Sequence, residues 1–158
     1  MTSAVLPDLL PSIGSVSVNY RLLEMYIEMG IWKLLGDEKI QNVGKIVTSE
    51  LNVLKLINLI GSLHTELCKD SKLREEFQDL LKEIDEVRIK RNKIIHEIAG
   101  TGKSGNAIML TKKVKNPKGL KQKVYHISKE EIEKVADSIS ELSFRLISFV
   151  SKKDFLTS

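Results

Sequence analysis

The chain has 158 residues, 25 of them Lys or Arg and 21 Asp or Glu, for a formal charge of +4. A chain of this length suits one domain that buries about 70% of its unfolded surface. Its single cysteine, Cys68, rules out an internal disulfide, and no stretch approaches the roughly 20 apolar residues of a membrane span, so no membrane partner is expected. The first thirty residues show neither a basic start nor a sustained apolar run, which makes the expected location cytoplasmic.

Met1 to Gly14, containing Pro7 and Pro11, reads as an irregular lead-in. A helix follows from about Ser15 to Leu35, with Val18, Leu22, Met25, Tyr26, Met29 and Trp32 as its core face and Gly36 as its stop. Asp37 can cap a short helical piece through Val47. Ser49 can start another, running to about Lys69, with Val53, Leu56, Ile57, Ile60, Leu63, His64 and Leu67 on its apolar face. Asp70 or Ser71 caps the longest helix, whose apolar residues Leu73, Phe77, Leu80, Ile84, Val87, Ile94 and Ile98 recur in steps of three and four, with Arg91 in the slot between Val87 and Ile94.

Gly100, Gly102 and Gly105 then break the chain. Ile108 to Lys115 and Leu120 to Ile127 read as strands joined by a type I turn at Asn116-Pro117-Lys118-Gly119. Ser128 and Glu131 form a capping box, and Ile132, Val135, Ile139, Leu142, Leu146 and Phe149 supply the buried stripe of a last helix to about Lys152. The expected fold is all-α: an antiparallel bundle of four to five helices forming one domain over 1–158. It has a lead-in over 1–14 and a basic β-hairpin insertion over 106–127 before the last helix.

The chemistry concentrates in Arg91-Asn92-Lys93-Ile94-Ile95-His96, at the C-terminal end of the longest helix. Arg pairs with phosphate oxygens through two parallel hydrogen bonds, and His moves a proton near neutral pH. A guanidinium in an apolar stripe needs an acidic partner, a water-filled cleft or a phosphate ligand. Arg88, Asn92 and His96 follow each other at one helical turn on a separate polar stripe, so Asn92 and His96 can work together. Directly after the hexad, no acidic residue occurs between Glu97 and Glu130, while Lys103, Lys112, Lys113, Lys115, Lys118, Lys121, Lys123 and Lys129 all lie there. Such a block attracts a polyanion with an affinity that falls as salt rises. The same lysines would also keep a solvated hairpin from pairing edge to edge.

The hexad, placed at the end of a long helix and followed by a short insertion and a last helix, resembles the Arg-x4-to-6-His signature of the HEPN superfamily, where a polar residue such as Asn92 often follows the Arg. That resemblance implies a metal-independent endoribonuclease of the toxin, phage-defence or RNA-processing kind, working as a homodimer with no cofactor. Arg91, Asn92 and His96 would be catalytic. Arg88 with Lys112, Lys113, Lys115, Lys118, Lys121 and Lys123 would bind RNA, and a cognate antitoxin protein is a further candidate partner. The alternative is a non-catalytic regulator or interaction module on the same scaffold, similar to the mannitol operon repressor group, binding protein or nucleic acid. In that case Arg91 is bridged to Asp85 or Glu24 and His96 is exposed beside Glu97.

Two other patterns carry less. Gly102-Lys103-Ser104 resembles the end of a phosphate-binding loop, but its first glycine would fall at Glu97, and the segment is expected to follow a helix where the motif needs a strand. His64 and Cys68 lie one turn apart without further ligands, a pattern expected of packed core groups rather than of a metal site.

Overall fold

The computed structural model describes residues 7–36, 42–101, 105–114, 120–152 and 155, without the side chains of 111–114 and 120–122. Among these residues the chain is mostly helical. A short 3-10 turn, Pro7–Leu9, leads into α1 (Leu10–Leu34), followed by α2 (Val43–Ser49), α3 (Val53–Leu67) and α4 (Ser71–Glu97). Three strands, β1 (Ile98–Thr101), β2 (Ala107–Val114) and β3 (Leu120–Ile127), precede α5 (Lys129–Ser151). The strands form one antiparallel sheet in the order β1-β2-β3.

The helix starts follow from side-chain oxygens that meet otherwise unpaired backbone donors. Asn52 Oδ1 accepts from the Lys55 N–H at 3.1 Å, so α3 starts after Asn52 rather than at Ser49. Asp70 Oδ1 accepts from the Leu73 N–H at 3.1 Å and opens α4. At α5, Ser128 Oγ accepts from the Glu131 N–H at 3.2 Å while the Ser128 N–H donates to Glu131 Oε2 at 2.8 Å, the expected capping box.

Three further expectations differ from the structure. The lead-in does not extend to Gly14, because α1 already begins at Leu10. Pro11 sits in its first turn, where a missing N–H removes no helical hydrogen bond. The core face of α1 is Val16, Tyr20, Leu23, Ile27, Ile31 and Leu34, all buried, whereas Val18, Leu22, Met25 and Met29 are exposed. Both sets repeat at three and four residues, so periodicity recognises the helix without choosing its inner side. Thirdly, the glycine break after α4 contains a strand. Helix passes directly into β1, and the register with β2 shifts between Ile98 and the buried Gly100, a bulge that leaves one residue extra. The expected β2–β3 hairpin is present and antiparallel, with Ala107 opposite Ile127 and Val114 opposite Leu120. Its turn, Asn116 to Gly119, and the Gly102-Lys103-Ser104 segment lie outside the described residues, as do Asp37 and the start expected for α2.

The chain divides into two compact units, Met1–Val18 with Val87–Ser138, and Asn19–Glu86 with Ile139–Ser158. The first holds the end of α4, the whole sheet and the start of α5, where Ser12 Oγ donates to Glu133 Oε1 at 3.1 Å. Ile94, Ala107, Met109, Ile132 and Ala136 are buried in it. The second has an aromatic core of Phe77, Phe149 and Phe155 around the His64 imidazole, which lies 4.4, 5.9 and 5.0 Å from their ring centres. Gln78 donates to the Gly61 carbonyl at 3.3 Å and to Thr65 Oγ1 at 3.0 Å, tying α4 to α3. Arg145 of α5 forms two parallel hydrogen bonds with Glu83 of α4, at 2.6 and 2.8 Å.

Candidate functional site

The hexad lies entirely within α4, which keeps its helical backbone through Glu97. Arg91 is half-buried in the slot between the buried Val87 and Ile94, as the apolar stripe requires. Its Nε is shielded from solvent, and its Nη1 donates to Asn92 Oδ1 at 3.1 Å. Asn92 is half-buried as well, and His96, one turn further on, is exposed. Asn92 is thus the hinge of the group. Its carbonyl oxygen holds the neighbouring guanidinium, and its own position places it on the stripe that leads to the imidazole.

Arg91 and His96 are five residues apart on regular helix, which sets their directions roughly 140° apart around the axis. A loosened last turn does not narrow that angle, since the helix stays regular to Glu97. Of the sequence-predicted catalytic residues, the structure joins Arg91 to Asn92 by a hydrogen bond and leaves His96 on the exposed side. Glu24, a partner considered for Arg91, is engaged by Arg21 at 3.3 Å. Arg88 is half-buried one turn before Asn92.

The basic insertion is attached to this helix end without a connecting loop, through β1. Lys123 is exposed on β3, an edge strand of the sheet. The backbone of Lys112, Lys113 and Lys121 lies in the β2–β3 ladder, with Lys113 opposite Lys121 and Lys112 opposite Gln122. Lys115 and Lys118 lie outside the described residues. Beside Lys123, Tyr125 and His126 are also exposed. Tyr125 is not singled out by the sequence pattern, although the interleaving of Lys, Tyr and His was there to be read. An exposed ring beside a cation offers a surface on which a base can stack.

Elsewhere, His64 is fully buried and packed on aromatic rings, as expected of a core group. Burial, and then the charge of Arg74, lowers its pKa below the ordinary histidine value. Cys68 is buried and its Sγ lies 3.6 Å from the Asp70 carbonyl. Among the described residues no three His, Cys, Asp or Glu side chains gather as metal ligands, and no helix is long and apolar enough to cross a membrane. A groove of about 740 Å³ between α3 and α4 is lined by Glu66, Asp85 and Glu86 with Lys82 and Gln78. Three carboxylates against one ammonium give it the wrong sign for a polyanion.

No protein-family model, curated protein or solved structure matches this chain. Its class therefore rests on its own residues: a mainly helical chain with a small antiparallel sheet, in which a half-buried Arg-Asn pair and an exposed His end the helix that feeds a lysine-rich hairpin.

Proposed function

We infer that this protein is a metal-independent endoribonuclease of HEPN type, built on an antiparallel helical bundle and acting in the cytoplasm, as toxin or phage-defence nucleases do. The observation that carries the reading is that Arg91, Asn92, His96 and the whole lysine-rich sheet belong to one compact unit, with α4 continuing into β1. A guanidinium fixed by an amide oxygen suits a phosphoryl group, because its remaining N–H donors stay aligned in one plane. The ribose 2′-oxygen attacks the adjacent phosphorus, the bond to the 5′-oxygen breaks, and a 2′,3′-cyclic phosphate results. His96 transfers the proton, a contribution typically worth about 10²–10⁴ in rate. Arg91 stabilises the charge that builds on the phosphoryl oxygens, with Asn92 orienting it. Arg88, Lys112, Lys113, Lys115, Lys118, Lys121 and Lys123 hold the RNA backbone. A homodimer with one shared cleft would bring the guanidinium of one copy towards the imidazole of the other, which answers the angle between them on a single helix.

That same angle supports a second reading. With Asn92 Oδ1 already taken by Arg91 and His96 turned to the exposed side, the scaffold also suits a regulator that binds nucleic acid or protein without cutting it. One assay separates the two. Pure protein is incubated with labelled single-stranded RNA in EDTA, beside Arg91→Ala and His96→Ala. Cleavage that both variants lose supports the nuclease; binding without cleavage supports the regulator and ends the nuclease reading.

A further inference from the structure

Strand β3 is open on three sides. Lys123, Val124, Tyr125 and His126 are all exposed, Val124 to 57% and Tyr125 to 47%. Consecutive strand residues point to opposite faces, so four exposed neighbours in a row leave neither face of this stretch packed. The third side is the backbone. β3 pairs with β2 along one edge, and among the described residues no backbone hydrogen bond reaches Leu120–Ile127 from the other. Alternate residues of an antiparallel strand turn their N–H and C=O groups outward, so roughly half of those in β3 await a neighbour. Nor does a bulge disturb the edge, since β3 pairs with β2 residue for residue from Leu120 opposite Val114 to Ile127 opposite Ala107.

We propose that the outer edge of β3 receives an extended, acidic segment of another protein as a fourth strand of the sheet. Charge selects this occupant. The stretch from Ile98 to Lys129 has no acidic residue, and Lys121 and Lys123 stand in β3 itself. The ladder sets Lys113 directly opposite Lys121, and like charges in that position destabilise a sheet. A carboxylate on an added strand would lie one strand spacing away, roughly 4.8 Å, and offset that repulsion. A basic strand would add to it. A second copy of β3 is excluded on the same ground, because it brings lysines and no carboxylate to the seam.

The side chains define the pattern of the segment. At period two, Lys123 and Tyr125 share one face of β3 and Val124 lies on the other. The strand that fits therefore alternates, with Asp or Glu on the face of Lys123 and a β-branched residue on the face of Val124. Main-chain hydrogen bonds then supply affinity and the alternate side chains supply specificity. The same lysines that keep strands at large from pairing with this edge admit an acidic one. The contact uses β3 within one compact unit and does not rest on the nuclease reading.

The test is binding of the full chain to a fluorescent peptide of about ten residues that alternates Glu with Thr, long enough to span β3. Its controls are the same peptide N-methylated at its four central residues, which keeps every charge and removes donors on both edges, a peptide with Lys in place of Glu, and a single-stranded RNA. N-methylation should weaken binding about tenfold or more, and the Lys peptide should not bind. Lys123→Glu, a change at an exposed site, should weaken it about fivefold or more. In the complex, the β3 amides that point away from β2 should gain protection from hydrogen exchange, which attraction between charges alone does not produce. Absence of binding at about 1 mM peptide overturns the proposal, and so does an N-methylated peptide that binds equally well or a complex whose β3 amides exchange unchanged. RNA binding without peptide binding overturns it as well, and assigns the lysines to the RNA backbone. Peptide binding by a protein that cleaves no RNA supports the proposal and counts against the nuclease reading alone.

Discussion

Phe155 stacks on His64, their ring centres 5.0 Å apart and their planes at 25°. Phe77 and Phe149 enclose the same imidazole, which is 0% exposed and, among the described residues, has no hydrogen-bond partner on either nitrogen. Arg74 acts on His64 directly, Lys33 Nζ lies 5.6 Å from the Phe155 ring and Lys152 Nζ 5.3 Å from the Phe149 ring. Burial, and then the charge of Arg74, oppose a proton on the imidazole.

Stability should therefore fall as the medium becomes mildly acidic. The folded pKa of His64 is lowered, so the unfolded chain takes up the proton first as pH drops below its ordinary value of about 6.5. The loss grows until pH passes the folded pKa and is then constant. Urea midpoints measured from pH 7.5 to 5 should decline, and His64→Phe should flatten that decline while keeping the stack. An unchanged slope in the variant would show that another group is responsible.

Gly30 marks the closest approach in the second unit. A Cβ there would come within 2.6 Å of Ile60 Cδ1 and 3.2 Å of Val150 Cγ2. Ile60 is fully buried and cannot swing away freely. Overpacking typically costs about 1–3 kcal/mol, while Ala gains up to about 1 kcal/mol over Gly in a helix. Gly30→Ala should thus destabilise by about 1–2 kcal/mol in denaturant unfolding, and a stabilised variant would mean that the core yields more easily than this geometry implies.

The start of α5 depends on a reciprocal pair. Ser128→Ala removes the oxygen that holds the Glu131 N–H at 3.2 Å, and should cost about 1 kcal/mol. Ser128→Asp, which can accept the same hydrogen bond, should recover most of it. If Ala and Asp unfold alike, the cap does not set the boundary.

Arg145 and Glu83 make a two-pronged surface pair between α5 and α4. The hydrogen bond from Arg145 holds the Glu83 carboxyl below its ordinary pKa, so its stabilisation is present above the unfolded value near 4.3 and disappears as pH falls through the folded one. Both side chains are substantially exposed, and the pair should contribute no more than about 1 kcal/mol. Arg145→Lys cannot reproduce the fork and should lose most of that effect at pH 7 but none at pH 2, as a double-mutant cycle with Glu83→Gln would show.

On the proposed nuclease reading, Lys123→Glu should weaken RNA binding evenly across sequences and lower the salt dependence by about one or two phosphate contacts. Arg91→Ala should instead reduce cleavage by about 10²-fold or more with a smaller effect on binding. Equal losses of binding and cleavage in both variants would place Arg91 in the binding surface and not at the reacting phosphate.

The elements with strong local signals were legible in the residues. The α4 stripe from Phe77 to Ile94, the α5 stripe from Ile132 to Phe149, and the Ser128 box all depend on contacts within a few residues of chain. The strand after α4 was hidden because Ile98-Ala99-Gly100-Thr101 is too short to show an alternation and exists only by pairing with β2. At the candidate site the sequence indicated Arg91, Asn92 and His96 together. The bond from Arg91 to Asn92 could not be read from spacing, since adjacent helical residues do not normally face each other.

What the sequence determined by itself was where helices start, how they repeat and where charge gathers, because caps, periodicity and composition act over a few residues. Which of the two apolar faces of α1 became core, that Phe77, Phe149 and Phe155 are the rings that close around His64, and that helix runs straight into sheet at Ile98 were decided by tertiary structure alone. Those choices turn on packing between segments far apart in the chain, where two stripes of equal periodicity differ only in what they can be fitted against.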